Sequence, residues 1–219
     1  MRKRTFNVIA VAIILIALFV LYYVKEGEVN YWMYVVSHRK DAGFEQIRQP
    51  LKAAFIKRAA QPREPQSYIQ LGAIQMNLKD YASAERNFKT ALKLSADKHP
   101  ALEQLFSVHK AQKNYQAAEQ DARAYAEQYS KEPRGYEQLI ELYQFYLTDK
   151  AGELPTLLER AYQETRDGEF LILGATYYAS HNDFVHASAL LEQWLSNKDN
   201  LTSRAIIENL YNQYKSKIK

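Results

Sequence analysis

The sequence predicts an all-α fold, a solenoid of antiparallel helix pairs preceded by one N-terminal transmembrane helix. Three observations carry this prediction. Leu71, Leu105, Leu139 and Leu173 recur at a constant step of 34 residues, within the range of helix-pair repeats. Only 7 Gly and 6 Pro occur in 219 residues, which argues against a β-sandwich, a collagen-like chain or a disordered one. Residues 6–24, FNVIAVAIILIALFVLYYV, carry no charge at all.

The N-terminal run comes first. As a helix it would span about 28 Å, close to the hydrocarbon thickness of a bilayer. Arg2, Lys3 and Arg4 precede it, and Tyr22 and Tyr23 stand where an interfacial aromatic belt would lie. The run is longer than the apolar core of a cleaved signal peptide, and no pair of small residues in an A-x-A pattern follows it. It therefore reads as an uncleaved anchor. Beyond it only Lys25 is basic until Arg39, and Glu26 and Glu28 offset that charge. The positive-inside bias then predicts a single-pass inner or plasma membrane protein. Its N-terminus would be cytoplasmic and its C-terminal domain extracytoplasmic, periplasmic in a Gram-negative source.

Splitting the net charge of +4 removes one class of partner. Residues 1–25 hold four of the 29 Lys and Arg and none of the 25 Asp and Glu, so the remainder is neutral. A neutral domain has no overall field to attract polyanions, and no nucleic acid is expected. The absence of Cys excludes disulfides, thiolate metal sites and Cys nucleophiles.

The repeat is legible position by position. Three residues before the leucines stand Tyr68, Leu102, Tyr136 and Phe170; one residue after them stand Gly72, Phe106, Ile140 and Gly174; four after stand Gln75, His109, Tyr143 and Tyr177. These offsets share one helical face. A second helix follows each first one. Asp80-Tyr81 with Ala84, Phe88 and Ala91 is matched by Asn114-Tyr115 with Ala118, Ala122 and Tyr125. Asp80, Asn114 and Asp183 are suitable N-caps for these second helices, and Ala84, Ala118 and Ala187 would permit close helix approach. In the third unit the turn TDKAGELP (148–155) is longer, and the second helix is expected to begin near Pro155, a tolerated first-turn residue. In the fourth, Phe184 and Ala187 take the aromatic and small slots, and the helix ends in Leu191 and Trp194. Residues 201–217, with Ile206, Ile207, Leu210, Tyr211 and Tyr214, form an amphipathic helix suited to capping the array. Upstream, Phe44, Ile47, Leu51, Ala54 and Phe55 echo the second-helix spacing, so residues 29–60 read as a degenerate hairpin with a kink at Pro50.

This pattern resembles the tetratricopeptide repeat (TPR), with its W-x2-L-G-x2-Y run followed by A-x3-F. Tyr68, Leu71, Gly72, Tyr81, Ala84, Phe88 and Ala91 match it; Gln75 in the aromatic slot and Ala96 in the closing Pro slot depart from it. The resemblance covers about two-thirds of the chain and implies a right-handed TPR-type solenoid. The expected organisation is a basic segment at 1–5, a transmembrane helix at 6–24 and juxtamembrane helices at 25–62. A TPR array follows at 63–198, with units near 65–98, 99–132, 133–166 and 167–199, and a capping helix at 200–219.

In TPR proteins the concave groove is lined by first-helix residues facing away from the second helix. The resemblance places Ile69, Ala73, Met76, Glu103, Ser107, Lys110, Glu137, Glu141, Gln144, Leu171, Ala175 and Tyr178 there. Such a lining, apolar at its ends and charged in the middle, suits a peptide with apolar anchors. Ile69 and Ala73 stand where chaperone-tail-binding members carry Lys and Asn, so that carboxylate clamp is not present.

Chemistry is weakly signalled. His181, Asp183 and His186 surround one turn, but their spacing is not that of a one-face metal motif; His109 in a packing slot reads as a core histidine. No phosphate loop and no nucleophile elbow occur. Glu137 and Glu141 lie one turn apart on one helix, not across a cleft. Asn200-Leu201-Thr202 matches a glycosylation triplet and equally a turn before the last helix. The expected function is a non-enzymatic, membrane-anchored scaffold for protein or peptide partners in a cell-envelope assembly, with no cofactor and no metal. A chaperone-like factor for exported chains, a homo-oligomeric structural subunit, and a metalloprotein centred on His181 and His186 are the alternatives.

Overall fold

A computed structural model describes the backbone of residues 2–39, 44–196 and 204–218, with side chains from Ala12 onward. The described residues form eleven α-helices and one 3-10 helix, with no strand among them. The chain divides into two compact units, residues 1–114 and 115–219.

In the first unit, α1 (Arg2–His38) pairs with α2 (Phe44–Ala60), and α3 (Pro65–Asn77) with α4 (Tyr81–Leu94); α5 (His99–Ala111) packs on α4. The α1–α2 contact is close because of one residue. A Cβ on Gly27 would lie 2.6 Å from the Ile56 Cα, so the backbones approach as only glycine permits. Tyr31, Tyr34 and Val35, at offsets of 3 and 4 along α1, join Phe44, Leu51, Ala54 and Phe55 of α2 and Leu71 and Leu78 in one buried cluster. Pro50 lies inside α2. A second cluster joins Ala84 and Phe88 of α4 to Leu105 and Val108 of α5.

The turn that closes the first helix recurs with the sequence. At Lys79, Lys113 and Asn182 the backbone is left-handed, with φ of 63°, 59° and 61°. Each time the next amide reaches back five residues: Asp80 N–H to the Gln75 carbonyl, Asn114 to His109, and Asp183 to Tyr178, at 2.8–2.9 Å. The left-handed residue's own N–H bonds three residues back, to Met76, Lys110 and Ala179 respectively. This is a Schellman ending. Asp80 and Asp183 then cap the following helices, accepting from the Ser83 and His186 amides at 3.1 Å.

The second unit contains α6 (Tyr115–Gln128), α7 (Arg134–Phe145), a 3-10 helix (Thr148–Glu153), α8 (Leu154–Thr165), α9 (Glu169–Ser180), α10 (Phe184–Ser196) and α11 (Arg204–Lys215). α8 begins at Leu154 with Pro155 in its first turn. Leu171, Ala175, Ala187, Leu191, Trp194 and Ile207 form a core shared by α9, α10 and α11. Asn200-Leu201-Thr202 lies outside the described residues.

Two expectations are corrected. Among the described residues no helix is long and apolar enough to cross a membrane. The assignments of a transmembrane helix and of a single-pass membrane location therefore do not stand. The apolar run is not a separate helix ending at Val24. It belongs to α1, which continues through Lys25, Glu26 and Glu28 to His38 and buries its far end against α2. The second correction concerns the fourth unit, where Leu173 is 40% exposed although the 34-residue step assigns it to the core. The residues that α9 buries are Phe170, Leu171, Gly174 and Ala175, of which Leu171 and Ala175 face α10 and α11.

Candidate partner-binding surface

The residues expected to line a groove fall into two groups, one in each unit. In the first unit, Ile69, Ala73 and Met76 of α3 and Glu103, Ser107 and Lys110 of α5 are all half-buried, on helices that pack against each other. Ile69 and Met76 rest on the Ala84, Phe88, Leu105 and Val108 cluster. The Ser107 hydroxyl donates to the Glu103 carbonyl at 2.9 Å, and the Lys110 ammonium sits 5.8 Å from the Phe106 ring centre. The pair thus presents apolar side chains with firm backing beside an acid, a hydroxyl and a base.

The second unit treats its candidates differently. On α7, Glu137 and Gln144 are exposed and Glu141 is half-buried; Glu137 lies 3.7 Å from Arg134. Leu171 and Ala175 are buried in the α9–α11 core. Tyr178 is half-buried, stacked on His186 with ring centres 5.1 Å apart. Leu171 and Tyr178 contribute to a cavity of about 730 Å³ between α8, α9 and α10, with Leu158, Tyr162, Leu190 and His186.

The titratable groups make mostly local contacts. His186 Nδ1 lies 2.6 Å from Asp183, while His181 Nδ1 lies 2.8 Å from the Tyr177 carbonyl. Bonds from the His186 backbone and ring hold the Asp183 carboxyl below its ordinary value against a smaller opposing effect of burial. Among the described residues no group of three or more potential ligands is placed to hold a metal. His109 is buried, with Nε2 3.5 Å from Glu85, which also meets Lys89 at 2.6 Å. The Lys89 contact leads in holding the Glu85 carboxyl low, against burial and with help from His109.

Two buried polar groups gain their partners only in the fold. Gln75, in a slot where the repeat carries an aromatic, is 3% exposed and accepts from the Asn87 amide at 2.6 Å. Glu119 on α6 is 6% exposed; it accepts from the Lys150 ammonium at 2.6 Å, from the Tyr143 hydroxyl at 2.6 Å and from Arg123 at 2.9 Å. Burial pushes its pKa up, but Lys150, Tyr143 and Arg123 outweigh burial and leave it below the usual carboxylate value. Burial, then the bond to Glu119, pushes the Tyr143 hydroxyl well above its ordinary pKa. The signal for both was available as polar side chains in inward-facing slots; the partner of Glu119, 31 residues away, had no local signature.

No family model and no curated protein matches the chain. Among solved structures, it is similar to MamA (41-end) from Desulfovibrio magneticus RS-1, with 17% identity and a TM-score of 0.49 over 81% of this chain and 98% of that one. It is also similar to a tetratricopeptide repeat protein from Parabacteroides merdae ATCC 43184, with 15% identity and a TM-score of 0.41 over 85% of this chain and 76% of that one. The repeating Schellman turns and the small-residue contacts between paired helices are the geometry these hairpins share.

Proposed function

We propose that this chain is a protein-binding scaffold whose α3 and α5 faces take an extended or helical segment of a partner. The observation that supports this reading most is the state of six side chains. Ile69, Ala73, Met76, Glu103, Ser107 and Lys110 are half-buried on adjoining helices, neither lost in the core nor isolated in solvent. Apolar groups held from behind lose little freedom on binding, and the neighbouring charges fix the register of a ligand. Glu137, Glu141 and Gln144 on α7 offer a further polar surface in the second unit. Leu171 and Ala175 are buried in the second unit's core, and we leave them out of the proposed face.

Affinity capture with the full chain and with Ala73→Arg tests the reading, because the arginine would put a long charged side chain at a half-buried position of the proposed face. The wild type is expected to retain specific protein partners that Ala73→Arg loses at unchanged thermal stability. Identical capture by both would refute the assignment.

A further inference from the structure

A second recess in the first unit has a different chemistry. It is a groove of about 470 Å³ bounded by α1, α2, α3 and α4. Fourteen residues line it and none is acidic. Two of them are arginines without a carboxylate partner among the described residues. Arg58 lies over the Phe55 ring at 5.8 Å, and Arg86 donates only to the Ser83 hydroxyl at 2.8 Å. In a chain with 25 Asp and Glu, two guanidiniums in one acid-free recess are a specific electrostatic feature. Asp80, which is not among the lining residues, caps α4 and lies 3.3 Å from His38 Nε2 at one end of the groove.

The groove also contains an amide pair. Gln75 and Asn87 both line it, bonded to each other at 2.6 Å and almost wholly buried. Asn87 also donates to the Ser83 carbonyl at 3.1 Å. These bonds leave the Gln75 NH2 and the Asn87 amide oxygen as a donor and an acceptor with no described partner, the complement a peptide backbone presents. Met33 supplies exposed apolar surface in the same recess, with Phe55 and Leu71 buried beneath it. Guanidiniums suit planar carboxylates through paired N–H groups.

We infer that this groove binds an acidic peptide segment, its carboxylates held by Arg58 and Arg86 and its backbone met by Gln75 and Asn87. The amide pair and apolar walls favour a peptide over a bare phosphate or an anionic lipid surface, neither of which offers a backbone to match them. The site is separate from the α3–α5 face, so each reading fails or survives alone.

The test is fluorescence anisotropy of the full chain with a labelled peptide of alternating Asp and Leu, against the same peptide with Asn for Asp. Anionic phospholipid vesicles and inorganic phosphate serve as competitors. The Asp peptide is expected to bind in a salt-sensitive manner, with the Asn peptide weaker by about tenfold. Arg58→Gln and Arg86→Gln should each cost about tenfold, the ordinary loss of a charged hydrogen bond. Thr90→Glu, which adds a carboxylate to the groove while keeping both arginines, should weaken binding similarly. Lys93→Gln, exposed on α4 outside the groove, and Ala73→Arg should change nothing. Equal binding of the two peptides, no binding of either, or full affinity in both arginine variants and Thr90→Glu would overturn the inference. Displacement of the peptide by vesicles or phosphate at comparable concentration would overturn it too, as would loss with Ala73→Arg alone.

Discussion

Gly72 and Gly174 occupy the same repeat position in different units, yet the structure assigns opposite signs to their replacement by alanine. A Cβ on Gly72 would sit 2.6 Å from Phe88 Cε1 and 2.9 Å from two further ring atoms. That ring is 0% exposed and shares its cluster with Ala84, Leu105 and Val108, so it has little room to retreat. Helix propensity alone would favour alanine by about 1 kcal/mol. Overpacking a close-packed core costs about 1–3 kcal/mol, so Gly72→Ala should lose up to about 2 kcal/mol. At Gly174 the one close atom is Leu190 Cδ1 at 2.9 Å, the tip of a half-buried side chain bordering the unit's cavity. There the rotamer can move, and Gly174→Ala should be neutral or more stable by about 0.5–1 kcal/mol. Urea unfolding followed by circular dichroism, with amide exchange in α3–α4 and α9–α10, separates the two. Equal losses at both sites, or a more stable Gly72→Ala protein, would refute the packing argument.

Three other outcomes follow from local geometry. Lys79→Gly and Lys113→Gly relieve left-handed backbone at φ 63° and 59° and should each raise stability by about 0.5–1 kcal/mol after the added chain entropy of glycine, measured by urea midpoints. Asp80→Ala removes the α4 cap and the His38 contact and should cost about 1–2 kcal/mol by the same assay. Glu119 has a depressed folded-state pKa, against burial, through Lys150, Tyr143 and Arg123. Its contribution is therefore complete above its ordinary value of 4.5 and is lost as pH falls below that toward the folded value. Glu119→Gln should cost about 1–2 kcal/mol at neutral pH, since Lys150 remains about a third open to water, and should flatten the acid limb of a stability–pH curve.

How much of this was legible in the sequence depends on how local the cause was. Leu71 and Leu105 are buried, and Tyr81 and Tyr115 open α4 and α6, because close neighbours along the chain dictate these elements. The Asp80 and Asp183 caps were readable for the same reason. Leu173 was misplaced because periodicity assumes each helix meets the same neighbours. Here α9 turns Leu171 and Ala175 toward α10 and the added α11 instead. The apolar run at residues 6–24 resembled a complete element because composition does not reveal where a helix stops; α1 runs on to His38. The acid-free recess needed side chains from four helices to converge, which no spacing along the chain displays.

The scaffold reading is tested most directly by site-specific photo-crosslinking in cells, with the reactive side chain placed at Ser107 on α5 or at Lys93 on the exposed side of α4. Discrete protein adducts at Ser107 and none at Lys93 are the predicted result. Adducts at Lys93 alone, or equal patterns at both positions, would contradict a partner-binding face on α3 and α5.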